Sequence, residues 1–159
     1  MIRISRLTDY GIVILSHVAA NADQVHTATA VAAAVHLPLP TVSKLLRAFA
    51  RTGLLASQRG INGGYRLARS ADEISVAGII RALEGPIGLT VCRIDSPGTC
   101  AHEPSCRVRA HWQRINQAIR QALEGITLSE MAAPVSPEFM ASVGAAMQLR
   151  GVTAQRPAN

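Results

Sequence analysis

The sequence lacks any apolar run approaching the ~20 residues that a membrane span requires. An apolar stretch near the N-terminus is interrupted by Asp9 and His17 and repeats with the period of an amphipathic helix, so it predicts a core helix rather than a secretion signal. Charged residues make up only 16% of the 159 residues against 48% hydrophobic ones, which excludes a disordered chain. We therefore expect a cytoplasmic protein with one main core and no membrane partner.

Signatures of common enzyme classes are missing as well. The chain has no nucleophile elbow, no helical zinc-protease motif, no recognisable pair of catalytic carboxylates and no C-x-x-C pair. We expect neither catalytic residues nor a small-molecule substrate. Cysteines number only three, and this odd count fits a reducing compartment better than a disulfide framework.

Acidic residues are scarce in the first part of the chain. Residues 1–70 hold eight Arg and Lys against two acids, Asp9 and Asp23, whereas residues 71–159 hold eight of each sign. The net charge of +6 therefore lies entirely in the first part. This asymmetry is typical of a polyanion-binding module joined to a neutral one, although charge alone fits a merely solvated basic face slightly better.

Three helices are predicted in this basic part, over residues 4–20, over 27–36 and from Pro40 to the residue before Gly53. The third has a buried stripe at helical spacing, formed by Val42, Leu45, Leu46 and Phe49. Its other face contains hydrogen-bond donors and no acid: Thr41, Ser43, Lys44, Arg47 and Arg51. A face of donors only, after a short turn, is typical of a recognition helix in a DNA major groove; the alternative is an ordinary solvated face.

A glycine-rich loop between two short strand-like runs follows this helix. The runs cover residues 54–58 and 65–68, and they predict a β-hairpin, the wing of a winged helix. Its candidate contacts with a DNA minor groove are Arg59, Asn62, Gly63 and Gly64. Alternatively, the glycines serve turn geometry alone. The fold class expected is mainly α, with a winged helix-turn-helix domain over residues 1–84.

All three cysteines fall in one loop-like segment, residues 85–106, which follows a short helix capped by Ser75. Cys92, Cys100 and Cys106 have the spacing C-x7-C-x5-C, and His102 and His111 lie nearby. The spacing leaves four readings open: an iron–sulfur cluster, a structural zinc ion, redox-active thiols, or three cysteines without a special role.

A long helix is predicted over residues 107–124, with an apolar face formed by Trp112, Ile115, Ile119 and Leu123. It is a candidate dimerisation helix, and packing within one subunit is the alternative. Thr127 and Glu130 predict a capping box. A last helix is expected from Ser136, with Phe139, Met140, Val143 and Met147 inward. The domain assignment is thus completed by residues 107–149 and a disordered tail at 150–159.

In combination, these motifs resemble the Rrf2 family of winged-helix regulators over about residues 1–125. The resemblance rests on the run Leu7-Thr8-Asp9-Tyr10, the helix beginning Pro40-Thr41-Val42-Ser43-Lys44, the wing from Arg59 to Leu67, and three cysteines after Leu83-Glu84-Gly85-Pro86. It implies a homodimeric transcription factor, usually a repressor, that binds a palindromic site in double-stranded DNA. Ser43, Lys44, Arg47 and Arg59 would contact the DNA.

The resemblance also implies an iron–sulfur cluster held by Cys92, Cys100 and Cys106, with [2Fe–2S] favoured and [4Fe–4S] as the alternative. IscR-like members place a histidine three residues after the third cysteine, where this chain has Arg109. NsrR-like members use an aspartate of the first helix, donated across the dimer, and Asp9 stands at that position; His102 and His111 are the alternatives. Within the family the chain looks most like regulators of SUF-type cluster-assembly operons. A zinc or thiol-redox regulator and a nitric-oxide-responsive repressor are the alternative functions.

Overall fold

A computed structural model of the protein describes residues 4–60, 62–90, 100–101 and 105–135. Its helices are α1 (Arg6–Ala20), α2 (Ala28–Val35), α3 (Leu39–Arg51), α4 (Val76–Glu84), α5 (Arg109–Glu124) and α6 (Leu128–Ala132). Strands β1 (Leu55–Gln58) and β2 (Gly64–Leu67) form a hairpin, and a 3-10 turn covers Ala71–Glu73. The mainly helical winged fold predicted from the sequence is confirmed.

Hydroxyl side chains define where the helices begin. Ser5, Thr27 and Ser75 accept hydrogen bonds from backbone N–H groups in the first turns of α1, α2 and α4, and each satisfies a donor that the helix itself leaves unpaired. Thr127 and Glu130 form the predicted capping box of α6. Because Ser5 is the cap, α1 begins at Arg6 rather than at Ile4.

The core lies between α1, α2, α3 and α4. The predicted stripe of α3 is confirmed, since Val42, Leu45, Leu46 and Phe49 are at most 1% exposed. Gly11 permits the close crossing of α1 over this layer, because a Cβ there would lie 2.9 Å from Phe49 Cζ and 2.8 Å from a Leu83 methyl group.

The hairpin is joined to the chain that precedes α2. Leu55 pairs with Leu67 and Gln58 with Gly64 in the antiparallel ladder. His26 adds a bridge to Tyr65, with both backbone hydrogen bonds at 2.8 Å. The wing is therefore fixed to the helical layer on the side that holds the helix-turn-helix.

After α5 the chain returns to the core. Leu128 is fully buried, its N–H donates to Ile74 O at 2.7 Å, and Val76 N–H donates to Ile126 O at 2.9 Å. The helix α6 packs against α1, although the sequence placed it with residues 107–149. The predicted helix after Ser136 and the predicted tail lie outside the described residues. No single helix in the ranges given above is both long and apolar enough to span a membrane.

Candidate nucleic-acid interface and cysteine segment

A sharp turn sets α3 across α2. The two helix axes differ by 119°, which agrees with the geometry of helix-turn-helix pairs. His36 ends α2 in the left-handed conformation (φ 54°), and Leu37 N–H reaches back to Ala32 O at 3.2 Å. Pro40 lies in the first turn of α3, as predicted, where a missing N–H costs nothing.

The polar face of α3 is accessible. Lys44, Arg47 and Arg51 are exposed, and Thr41 and Ser43 are half-buried at the helix start. Arg47 Nε donates to the Ser43 carbonyl at 3.0 Å. The helix contains no acidic residue, so its positive charge is not neutralised within the helix and its potential is available to an anionic partner.

The wing presents Arg59 and Asn62 as exposed side chains. Gly63 and Gly64 are half-buried, and both have a packing role. A Cβ on Gly63 would lie 2.6 Å from Gln58 O, and one on Gly64 would lie 2.6 Å from His26 O. The tight loop and the bridge to residue 26 therefore account for these two glycines without any ligand, while their contact with DNA stays a prediction.

Two of the three cysteines lie in the described part of the chain. Cys100 and Cys106 are free thiols, and both are half-buried. Cys106 lies three residues before the start of α5, and its carbonyl accepts a hydrogen bond from the N–H of Arg109, the first residue of that helix, at 3.3 Å. Cys92 and His102 lie outside the described residues.

Two of the candidate fourth ligands, Asp9 and His111, lie in the described residues and are exposed. Asp9 lies in the first turn of α1, and His111 lies on α5, where it lines an open groove of about 320 Å³ with Arg114, Ile115 and Ala118. Within the described ranges, no three side chains of the types His, Cys, Asp and Glu come together as a metal site. One protomer thus does not assemble Asp9 with Cys100 and Cys106.

Two polar contacts beside these residues were not anticipated. Glu84 Oε1 accepts hydrogen bonds from Ser5 N–H and from the buried Thr8 hydroxyl, which lowers the pKa of the Glu84 carboxyl, chiefly through Thr8. Asn116 is buried in the middle of α5. One sequence signal could have revealed Asn116, because it lies four residues after Trp112, next to a face that is otherwise apolar.

A second histidine lies against His26. The rings of His17 and His26 meet edge to face at 5.6 Å between centroids, and His26 Nε2 is 3.0 Å from Asn21 O. Burial, and secondly the charge of His26, lower the pKa of His17. This pair lies under the bridge that joins residue 26 to the wing.

Comparison with known proteins agrees with this architecture. Residues 4–134 match the family described as "Rrf2: Iron-dependent Transcriptional regulator". The chain is 25% identical to the HTH-type transcriptional regulator NsrR of Halalkalibacterium halodurans over 81% of this chain and 89% of that protein.

Two solved structures share the fold. CymR, the global cysteine regulator of B. subtilis, is 28% identical with a TM-score of 0.66, over 86% of this chain and 100% of that one. IscR of T. potens, at 23% identity, shows the same fold with a TM-score of 0.60 over 99% and 94% of the two chains. These relatives are transcriptional regulators and not enzymes. With its helix-turn-helix, its wing and a family match that covers most of its length, the chain belongs to the Rrf2 family of DNA-binding transcriptional regulators.

Proposed function

We propose that this regulator is a cytoplasmic repressor that binds a palindromic DNA site as a homodimer and senses the state of an iron–sulfur cluster, with a SUF-type cluster-assembly operon as its target. The main support for the proposed sensing role is the position of the cysteines. All three fall between residues 85 and 106, and Cys106 lies three residues before Arg109, where the long helix α5 begins. Chemistry at these thiols therefore takes place beside the helix that we assign to dimerisation.

The DNA contacts are assigned to α3 and the wing. Thr41, Ser43, Lys44, Arg47 and Arg51 would face the major groove, and the wing residues Arg59, Asn62, Gly63 and Gly64 the minor groove. Support comes from the exposure of Lys44, Arg47 and Arg59 and from the absence of acids in α3. Cationic side chains on a helix-turn-helix supply phosphate contacts as well as contacts to base edges.

Dimerisation is assigned to α5. Trp112 and Ile115 are 37% and 43% exposed on a helix that contacts α4, and such large apolar side chains favour burial against a partner. A palindromic site requires two recognition helices related by a two-fold axis. The second subunit would supply the other recognition helix.

The chemistry of the available donors fits the proposed group. Cys92, Cys100 and Cys106 would provide three thiolates, the ligands that iron–sulfur clusters prefer. Asp9, on an exposed turn away from the cysteines of its own protomer, would come from the partner subunit, with His102 or His111 as alternatives. We favour a [2Fe–2S] over a [4Fe–4S] cluster. A cluster with one oxygen or nitrogen ligand is labile, which suits a sensor.

The test is an absorption spectrum with iron and acid-labile sulfide analysis on anaerobically purified protein. Visible charge-transfer bands with matched iron and sulfide are expected, together with their loss in Cys106→Ala. Arg109→Ala is the control, because it changes a residue near the cysteines that we do not assign as a ligand. A colourless protein after attempted reconstitution would overturn the cluster assignment.

A second candidate is a switch based on the thiols themselves or on zinc. It is favoured by the free, half-buried state of Cys100 and Cys106 and by the similarity to CymR, a cysteine regulator. A nitric-oxide-responsive repressor with a bound cluster is the other alternative that the family resemblance leaves open. Zinc found in stoichiometric amount, or DNA affinity that changes with thiol oxidation in metal-free protein, would select this second candidate.

A further inference from the structure

The middle of α5 contains a buried polar side chain between exposed apolar ones. Asn116 is 4% exposed, whereas Ile115 beside it and Trp112 one turn earlier are both exposed. A buried amide costs free energy unless its oxygen and its amino group both find hydrogen-bond partners. The hydrogen-bond partners of Asn116 therefore indicate why this side chain is buried.

Both ends of this amide bind the start of the cysteine segment. Leu89 N–H donates to Asn116 Oδ1 at 2.8 Å, and Asn116 Nδ2 donates to Thr90 Oγ1 at 3.5 Å. The first bond joins residues 27 apart in the sequence. It fixes the chain that leaves α4 against the middle of α5, three residues before Cys92 in the sequence.

The other end of the segment is attached to the same helix. Cys106 O accepts a hydrogen bond from Arg109 N–H, the first residue of α5. The described residues at the two ends of the segment, Leu89 and Thr90 at one end and Cys106 at the other, are thus hydrogen-bonded to the same helix. A loop whose ends are fixed has fewer conformations to lose when its side chains bind a ligand or one another.

We propose that Asn116 is a positioning residue for the cysteine segment: it holds Leu89 and Thr90 on α5, so that this segment and the helix move together. A change at the thiols then reaches α5, and a change in the packing of α5 reaches the thiols. The proposal rests on the proposed function in taking the thiols as the sensing group. The hydrogen bonds of Asn116 with Leu89 and Thr90 are themselves a property of the metal-free chain.

The experiment uses the reduced, metal-free full chain and two measurements, amide hydrogen exchange at Leu89 and the rate of thiol modification by an aromatic disulfide reagent. In Asn116→Ala we expect Leu89 to exchange about tenfold faster and the thiols to react several-fold faster, since one buried hydrogen bond is lost. Asn116→Asp keeps an acceptor for Leu89 and should retain its protection. Gln117→Ala, on the exposed neighbouring position, should change neither rate.

Loss of packing alone would lower the melting temperature without this pattern across the Ala and Asp variants. Unprotected Leu89 in the unaltered protein would overturn the proposal even if Asn116→Ala does not fold. Unchanged Leu89 exchange in a folded Asn116→Ala variant would overturn it too, as would lost protection with unchanged thiol rates. A chain that binds no iron would refute the cluster assignment. The rates of Leu89 exchange and of thiol modification would still test the role of Asn116, because both are measured without metal.

Discussion

His17 makes the stability of the protein depend on pH near neutrality. Its pKa is lowered from about 6.5 in the folded state, first by burial and then by His26, so the unfolded chain takes up the proton first as the pH falls. The free energy of unfolding should therefore decrease as the pH falls through about 6.5, until the folded pKa is reached. Denaturant unfolding between pH 7.5 and 5.5 measures this decrease.

His17→Gln removes the titrating ring, so its stability should vary less over that range than that of the unaltered protein. His111→Gln, at an exposed position on α5, is the matched control and should keep the full dependence. An identical pH dependence in His17→Gln and in the unaltered protein would contradict the assignment.

Single residues were the least predictable level from the sequence. The sequence predicts the Ser75 cap and the Thr127–Glu130 box because they depend on neighbours a few positions away. The Thr8–Glu84 and Asn116–Leu89 bonds join residues 76 and 27 apart. No local pattern encodes such pairs, because they arise only when separate elements pack.

Gly64 is the point where the wing depends on close backbone approach. A Cβ there would lie 2.6 Å from His26 O and 2.8 Å from Val25 Cγ1, so Gly64→Ala should separate β2 from residue 26. We expect a destabilisation of about 1–3 kcal/mol, typical of an overpacked site. Thermal or denaturant unfolding would measure it.

Gly78 in α4 offers the matched control. A Cβ there meets only Ser75 Oγ, at 3.5 Å, and alanine is a better helix former than glycine by about 1 kcal/mol. Gly78→Ala should therefore stabilise the protein slightly. Equal changes in stability for Gly64→Ala and Gly78→Ala would show that the bridge to residue 26 does not exclude a side chain at position 64.

The recognition helix and the wing should respond differently when their cations are removed. Lys44→Ala should weaken binding to specific and random DNA alike and reduce the log–log salt slope by about one, if Lys44 contacts a phosphate. Arg59→Ala should weaken specific binding more than random binding, if the wing reads the minor groove. Shift assays at several salt concentrations distinguish the two.

Arg81→Ala is the control for lost charge, because this exposed residue belongs to α4, not to α3 or the wing, and pairs with Glu124 at 3.4 Å. It should leave the salt slope unchanged. Equal losses for Arg59→Ala on specific and random DNA would assign Arg59 to a phosphate instead.

Elements were predicted better than residues. The period of the apolar residues placed α1 to α5 within about two residues, and the glycine-rich turn placed the hairpin. For Gly63 and Gly64 the sequence leaves DNA contact and turn geometry both open; close backbone contacts support the role in turn geometry, and the DNA contact stays a prediction. A glycine in a sequence looks the same whether a neighbouring strand or a ligand approaches it.

For the whole molecule, the burial of Leu128 shows that the core is completed by chain from beyond α5. Leu128→Ala should cost about 2–5 kcal/mol, as expected for a fully buried leucine. Met131→Ala, on the exposed side of the same helix, should change the stability by no more than about 0.5 kcal/mol. Denaturant unfolding compares the two, and a small effect of Leu128→Ala would mean that α6 is not part of the cooperative unit.

This return of the chain could not be read from the sequence. A pattern of apolar residues shows that a helix has a face to bury, but it does not show against which element. The short helix α6 was therefore assigned by its position along the chain, with α5, whereas it packs against α1.

The pairing of Ser75 with Thr127 determines how a segment of this chain could be exchanged with that of another regulator. A sensor that simply followed its DNA-binding domain could be exchanged between regulators at one junction. Here the chain leaves the core at Gly85, where α4 ends, and returns at Thr127, beside the residue that caps the start of α4. Residues 85–125 are therefore an insertion between two parts of one core. A chimeric regulator would need two junctions, near Gly85 and Gly125, and it would have to keep the recipient's own α6. Among the described elements, α4 of the recipient and α5 of the donor would then have to pack against each other.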